Sequence, residues 1–145
     1  MTGPQRLTGR IRVGLPPAEA FRLFTARGEQ DWVPGWHPVF PVETPDDTEP
    51  GTVFTTSAHG AAPTVWVVTG RQPGRLISYT RVTPGDRAGT VTVELRPTGA
   101  GDSEVEVTYE LTPLSEQASA ELRDFAEGYP AYLRSWRDAI TAWRA

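Results

Sequence analysis

Two runs in the second half of the chain alternate with strict period two. In GTVTVELRP, Val91, Val93 and Leu95 alternate with Thr90, Thr92, Glu94 and Arg96. In SEVEVTYEL, Val105, Val107, Tyr109 and Leu111 alternate with Glu104, Glu106, Thr108 and Glu110. Each predicts a strand with one buried and one wet face, as in an antiparallel sheet. PTGAGD between them supplies glycines for a hairpin turn. Both buried sets are odd-numbered, so directly opposed residues sum to an even number. Arg96 then opposes Glu104 or Glu106 on the wet face, a pair contributing ~0.2–1 kcal/mol. TVFTTS, TVWVVTGR and RLISYTRV read as three earlier strands. QRLTGRIRV (5–13) reads as a first strand, with Leu7, Ile11 and Val13 on one parity and Gly9 as a weak point.

Elsewhere the period is helical. PPAEAFRLF (16–24) opens with prolines suited to a first helical turn and places Ala20, Phe21 and Phe24 on one side. A second short helix is expected around 26–33. From Ser115, a candidate cap, Leu122, Phe125, Ala126, Tyr129, Leu133, Trp136, Ile140 and Trp143 recur at three- and four-residue steps. They predict a helix of about 28 residues, about 42 Å long at ~1.5 Å per residue. Pro130 removes a backbone donor and crowds the carbonyl of Ala126. A kink is expected there, not a break, because the apolar stripe keeps its phase. One segment fits neither period. WVPGWHPVFP (32–41) has prolines at 34, 38 and 41 that forbid a helix or a central strand, yet it is too apolar for an ordinary solvated loop.

The order is therefore strand, one or two short helices, five strands, long C-terminal helix. It predicts a single α+β domain over 1–145, one long helix lying against a curved antiparallel sheet. The net charge of −4 argues against a nucleic-acid protein, which normally carries a basic stripe. All the positive residues are arginine, which we read as a genomic composition bias. The absence of cysteine excludes disulfides, zinc–thiolate sites and cysteine nucleophiles. MTGPQRLTGR has no apolar stretch that would serve as a signal peptide. The longest apolar run, VWVV at 65–68, is far short of the ~20 residues that span a bilayer, so a cytoplasmic protein is expected.

The stretches LPPAEAFRLFT, DWVPGWHP, GTVFTT, RQPGRLISYTRV and FAEGYPAYLRSW, in this order, resemble the START-like helix-grip superfamily (SRPBCC), which includes bacterial polyketide cyclases. QPGRLISYT is also similar to a strand entry in activators of the heat-shock-protein-90 ATPase. The resemblance extends from about Gln5 to Trp143. It implies a sheet of seven strands wrapped around the long helix with a cavity between them; six strands are evident here, and a seventh is sought near 52–70. It implies a small hydrophobic ligand: apolar, polyketide-like, aromatic or lipid. The protein is then either a carrier or a cofactor-independent catalyst of cyclisation or dehydration. The alternative is a protein-interaction domain like the ATPase activators, acting through its surface. Fold alone does not decide function, and the oligomeric state, monomer or homodimer, stays open.

Candidate chemistry is sparse. There is no lysine-bearing phosphate loop, no H-E-x-x-H and no G-x-S-x-G. Two histidines 22 positions apart speak against a metal site, and Asp46, Asp47 and Glu49 read as a solvated acidic loop. Neither a metal nor a cofactor is implied. The candidates for acid–base or anchoring roles are His37, Tyr79, Arg81 and Tyr109. Parity leaves both faces of RLISYTRV open, since both carry apolar residues; the reading favours Tyr79 and Arg81 inside. Candidate ligand contacts are Trp32, Trp36, Phe40, Phe54, His59 and Trp66, with Leu122, Phe125 and Tyr129 on the helix. If Phe54 faces the cavity, His59 points away unless a bulge intervenes. Trp32, Trp36 and Phe40 either shape the mouth of a pocket or plug the end of the core.

Overall fold

Period-two patterning builds six strands in a computed structural model that describes residues 3–57 and 62–145. They are β1 (Gln5–Val13), β2 (Val53–Thr56), β3 (Thr64–Gln72), β4 (Leu76–Thr83), β5 (Arg87–Pro97) and β6 (Ser103–Pro113). All pair antiparallel in the order β1-β6-β5-β4-β3-β2. In the β5–β6 hairpin Val91 faces Tyr109 and Arg96 faces Glu104, so the even-sum register holds. Gly99 (φ 87°) and Gly101 (φ 84°) make the turn. On the wet face Arg10 takes Glu106 at 2.9 Å and Arg6 takes Glu110 at 3.0 Å. No seventh strand forms among the described residues of 52–70, where one is expected; the edge of β2 carries instead a single bridge from outside that range, Val39 exchanging two backbone hydrogen bonds with Thr55, 2.8 and 2.9 Å. Prolines on either side at 38 and 41 supply no donors to extend it.

After β1 come α1 (Pro17–Ala20) and two single 3-10 turns, Phe21–Phe24 and Gly28–Asp31. The C-terminal helical stripe forms α2 (Glu116–Glu127) and α3 (Tyr129–Arg144), with Ser115 capping α2 by accepting from the Ala118 amide. The expected single kinked helix is thus two helices end to end. Pro130 has no N–H for the Ala126 carbonyl, and the Gly128 amide turns back to the Asp124 and Ala126 carbonyls instead. The stripe nevertheless keeps its phase, since Leu122, Tyr129, Leu133, Trp136 and Ile140 are all buried.

Gly9, a weak point by propensity, has a packing reason. A Cβ there would lie 2.4 Å from Leu133 Cδ1 and 3.4 Å from the Tyr129 ring. The missing side chain lets α3 settle directly on β1. Gly9→Val is expected to cost ~1–3 kcal/mol through overpacking, read as a lower urea midpoint at unchanged slope.

The acidic connection 43–51 is not simply solvated. Arg71 donates to Asp46 Oδ2 at 2.6 Å and to Glu49 Oε2 at 3.3 Å, and Asp47 accepts from the Arg27 amide at 2.9 Å. Hydrogen bonds from Thr48, then the Arg71 guanidinium, hold the Asp46 carboxyl below its ordinary pKa. These contacts fasten the loop beneath the residues that enclose one end of the core. Among the described residues, no helix is long and apolar enough to cross a membrane.

Candidate functional site

The inner faces of the strands and one face of α3 do not meet everywhere. Between them lies a partly enclosed cavity of about 160 Å³, walled by the aromatic rings of Phe24, Trp36, Phe54, Trp66, Tyr79, Tyr109, Tyr132 and Trp136. Its remaining walls are Val33, Val91, Val93, Glu29 and Arg81. A larger depression of about 1340 Å³ runs past Leu15, Phe21, Arg27, Asp47 and Trp143, open to solvent. The smaller space is the better candidate, because predominantly aromatic and apolar walls there surround a small number of polar groups.

The aromatic walls interlock. Phe54 stacks on Trp66 at 5.8 Å, Trp36 meets Trp66 edge-on at 5.5 Å, and Trp32 meets Trp136 at 5.3 Å. Three of these side chains cap backbone carbonyls around the first 3-10 turn, groups that a helix end leaves without partners. Trp32 Nε1–H donates to Leu23 O (2.8 Å), Tyr79 O–H to Phe24 O (2.7 Å) and Trp36 Nε1–H to Ala26 O (2.7 Å). The Val33-Pro34-Gly35-Trp36 turn, with Gly35 at φ 74°, swings Trp36 into place; proline and glycine at its centre are the type II signature. The proline-rich segment is therefore pinned by its indoles, and it walls the cavity without filling it. Trp36→Phe keeps an aromatic ring but strands the Ala26 carbonyl. A loss of about 1 kcal/mol is expected in chemical denaturation.

Four polar side chains besides Tyr79 line the cavity. Glu29 is one that the sequence reading did not single out. It sits on the second 3-10 turn, and a Cβ on Gly28 would fall 1.7 Å from Arg22 O, so only glycine lets the chain fold this tightly. Among the described residues, no hydrogen bond or ion pair holds the Glu29 carboxyl, and burial pushes its pKa well above the ordinary carboxylate value. Its signal was spacing: Glu29, Val33 and Trp36 follow helical steps of four and three, and all three line the cavity.

Arg81 is the second. It projects inward from β4 with Ile77 and Tyr79, stacks over Trp66 at 5.1 Å and donates from Nη2 to Thr83 Oγ1 at 3.0 Å. Its Nε is buried with no partner, and among the described residues no carboxylate pairs with it. Burial lowers its pKa, though a guanidinium remains charged at any ordinary pH. The neighbour across β5 is Gly89, so no side chain from that strand stands beside it. Tyr109 and Tyr132 are the third and fourth, their hydroxyls 3.4 Å apart. Burial raises the Tyr109 pKa well above 10, which keeps it a neutral phenol and a donor. Tyr79 also faces the cavity, but its proton is committed to Phe24 O.

The remaining candidates lie elsewhere. His37 is exposed and does not line the cavity, because Pro38 and the Val39 bridge hold its backbone at the surface. Trp32 is buried behind Phe24 and Trp136, and Phe40 packs between Phe54 and the Arg27 guanidinium. Phe125 and Tyr129 stand behind the Tyr109 ring, at 5.5 and 5.9 Å, and the Tyr129 hydroxyl donates to Val107 O. Leu122 is core and also absent from the cavity wall. It is the first turns of α3, through Tyr132 and Trp136, that reach the cavity, one step further along the stripe than expected. Phe54 and Trp66 do face inward. His59 lies outside the described residues.

Comparison with known proteins agrees with this architecture. The family described as polyketide cyclase / dehydrase and lipid transport matches residues 4–134. A Mesorhizobium loti protein of solved structure superposes with a TM-score of 0.68 at 18% identity, covering 95% of this chain and 98% of its own. Norcoclaurine synthase from Thalictrum flavum superposes with a TM-score of 0.65 at 14% identity, covering 96% of this chain and 85% of its own. One of its structures is a complex with dopamine and hydroxybenzaldehyde. At such identities the likeness shows a shared helix-grip fold. No curated protein matches the chain.

Proposed function

We propose that this chain, which belongs to the polyketide cyclase / dehydrase and lipid transport family, binds a small apolar ligand in the aromatic cavity and moves a proton on it. The observation that carries this reading is a carboxyl with no partner inside a partly enclosed aromatic cavity that also holds an unpaired guanidinium. Buried polar groups are ordinarily satisfied, yet among the described residues Arg81 Nε is buried without a partner, and the half-buried Glu29 carboxyl on the same cavity wall has none either. A carboxyl with a raised pKa takes and returns a proton near neutral pH. Arg81 and the phenols of Tyr109 and Tyr132 supply positive charge and O–H donors for a developing enolate oxygen. That set suits proton abstraction beside a carbonyl, the elementary step of cyclisations and dehydrations. The complex of norcoclaurine synthase with dopamine and hydroxybenzaldehyde lends the reading support from a relative in fold. A surface-acting interaction domain would have a filled interior, and the cavity supports the ligand reading instead.

Deuterium exchange into the methyl group of acetophenone, followed by proton NMR in D2O, tests this directly. Exchange faster in the presence of the protein, and lost in Glu29→Gln, is expected. Exchange at the buffer rate, with no binding of acetophenone, would remove the catalytic reading.

A further inference from the structure

The cavity also limits what it can hold. A cavity of about 150 Å³ lined by apolar side chains takes up one benzene ring, and this one measures about 160 Å³. Its rims are formed by side chains fixed in place. Trp36 is tied to Ala26 O, Tyr79 to Phe24 O, and Trp66 Nε1–H to Thr56 Oγ1 at 2.9 Å. Widening it for a second ring or an acyl chain means breaking buried hydrogen bonds together with stacked aromatic contacts. At one wall stands the Arg81 guanidinium, stacked on Trp66 and donating to Thr83 Oγ1, which in turn is hydrogen-bonded to Thr64 Oγ1 at 2.6 Å. The nearby carboxylates do not pair with it: Asp86 holds Arg87, which also reaches Glu121 at 2.7 Å, and Glu29, on the wall of the same cavity, makes no hydrogen bond or ion pair with the guanidinium among the described residues. A fixed positive charge in an apolar enclosure, with no counter-charge of the protein's own in contact, selects for a ligand that brings one.

Resting on the ligand-binding reading above, we infer that the cavity selects a single-ring aromatic molecule bearing one anionic oxygen group, such as an aromatic carboxylate, with that group on Arg81. The flat ring lies among Phe54, Trp66 and Trp136, and the oxygens face the guanidinium. Multi-ring polyketides and long-chain lipids are excluded by volume. A neutral single ring enters but forfeits the charge-assisted contact.

The test is isothermal titration calorimetry of the full chain with four probes: benzoate, benzyl alcohol, 2-naphthoate and dodecanoate. Benzoate is expected to bind one per chain, at least tenfold tighter than each of the other three. In Arg81→Met, benzoate should weaken at least tenfold while benzyl alcohol changes less than threefold. Should 2-naphthoate or dodecanoate bind tighter than benzoate, the size inference fails and the ligand-binding reading stands. Benzyl alcohol equal to benzoate would overturn the charge inference in the same way. If none of the four binds, the inference and the reading beneath it both fall. The probe series in the unmodified protein decides these points even if the variant does not fold.

Discussion

Glu29→Gln is expected to melt higher than the parent at pH 7.5 and to lose proton exchange on acetophenone by a factor of ~10²–10⁴, the usual contribution of a positioned acid or base. Burial raises the carboxyl's pKa in the folded chain above its ordinary value of 4.5. Between those two values the folded chain keeps a proton that the unfolded chain has released. Stability therefore falls as pH rises through that window, and it stays reduced above it. Glutamine has no proton to lose, so the variant escapes this fall. The two melting curves should coincide below about pH 4 and separate above it, by about 1.4 kcal/mol for each tenfold difference in proton affinity. In a domain of this size that means roughly 2–8 °C. Thermal melts from pH 3.5 to 8 measure the separation. A variant less stable than the parent at pH 7.5 would show that the carboxyl has a structural partner after all.

Arg81→Met is the second change with a large and opposed pair of effects. The guanidinium gives up hydration on burial and recovers one hydrogen bond to Thr83 and a stack on Trp66. A cation–π contact of this kind contributes ~0.5–2 kcal/mol, whereas an unsatisfied buried donor costs ~1–3 kcal/mol and a desolvated charge more. Methionine fills comparable volume with neither cost. The variant should be as stable as the parent or up to ~1–3 kcal/mol more stable, while single-ring acid binding drops at least tenfold. Stability gained with function lost is the pattern of a residue kept for its ligand. Equilibrium urea unfolding beside calorimetric titration gives both numbers; a variant that loses stability and keeps binding would reverse the assignment.

How far the sequence carried this picture depends on how different the two faces of each element are. β5 and β6 were legible because Val91, Val93, Leu95, Val105, Val107 and Leu111 alternate with charged or hydroxylated residues. β4 was ambiguous because Leu76 and Val82 face out while Ile77 and Tyr79 face in, and periodicity cannot rank two apolar faces. The structure turns Tyr79 and Arg81 inward. The helical stripe was read correctly as a stripe, yet its contact with the cavity lies at Tyr132 and Trp136, not at Phe125 and Tyr129. That choice depends on where α3 settles on Gly9, a three-dimensional fact. Glu29 escaped notice because the short helix expected around 26–33 runs through the polar stretch ARGEQDW, and nothing local distinguishes a solvated carboxyl there from one turned toward a cavity. His37 stood out by residue type and lies at the surface. Rarity of a residue in a sequence is a weaker guide than its spacing from residues that end up in the wall.

The five tryptophans offer the most direct test of the claim that the partly enclosed aromatic cavity, and not the open depression, is the binding site. Trp36, Trp66 and Trp136 line the cavity, whereas Trp143 lines the depression and is 44% exposed. Indole N–H resonances, assigned by substitution, would be followed by NMR during titration with benzoate. Saturable shifts of Trp36, Trp66 and Trp136 are expected, with Trp143 unmoved. Shifts confined to Trp143 would place binding in the open depression and contradict that claim.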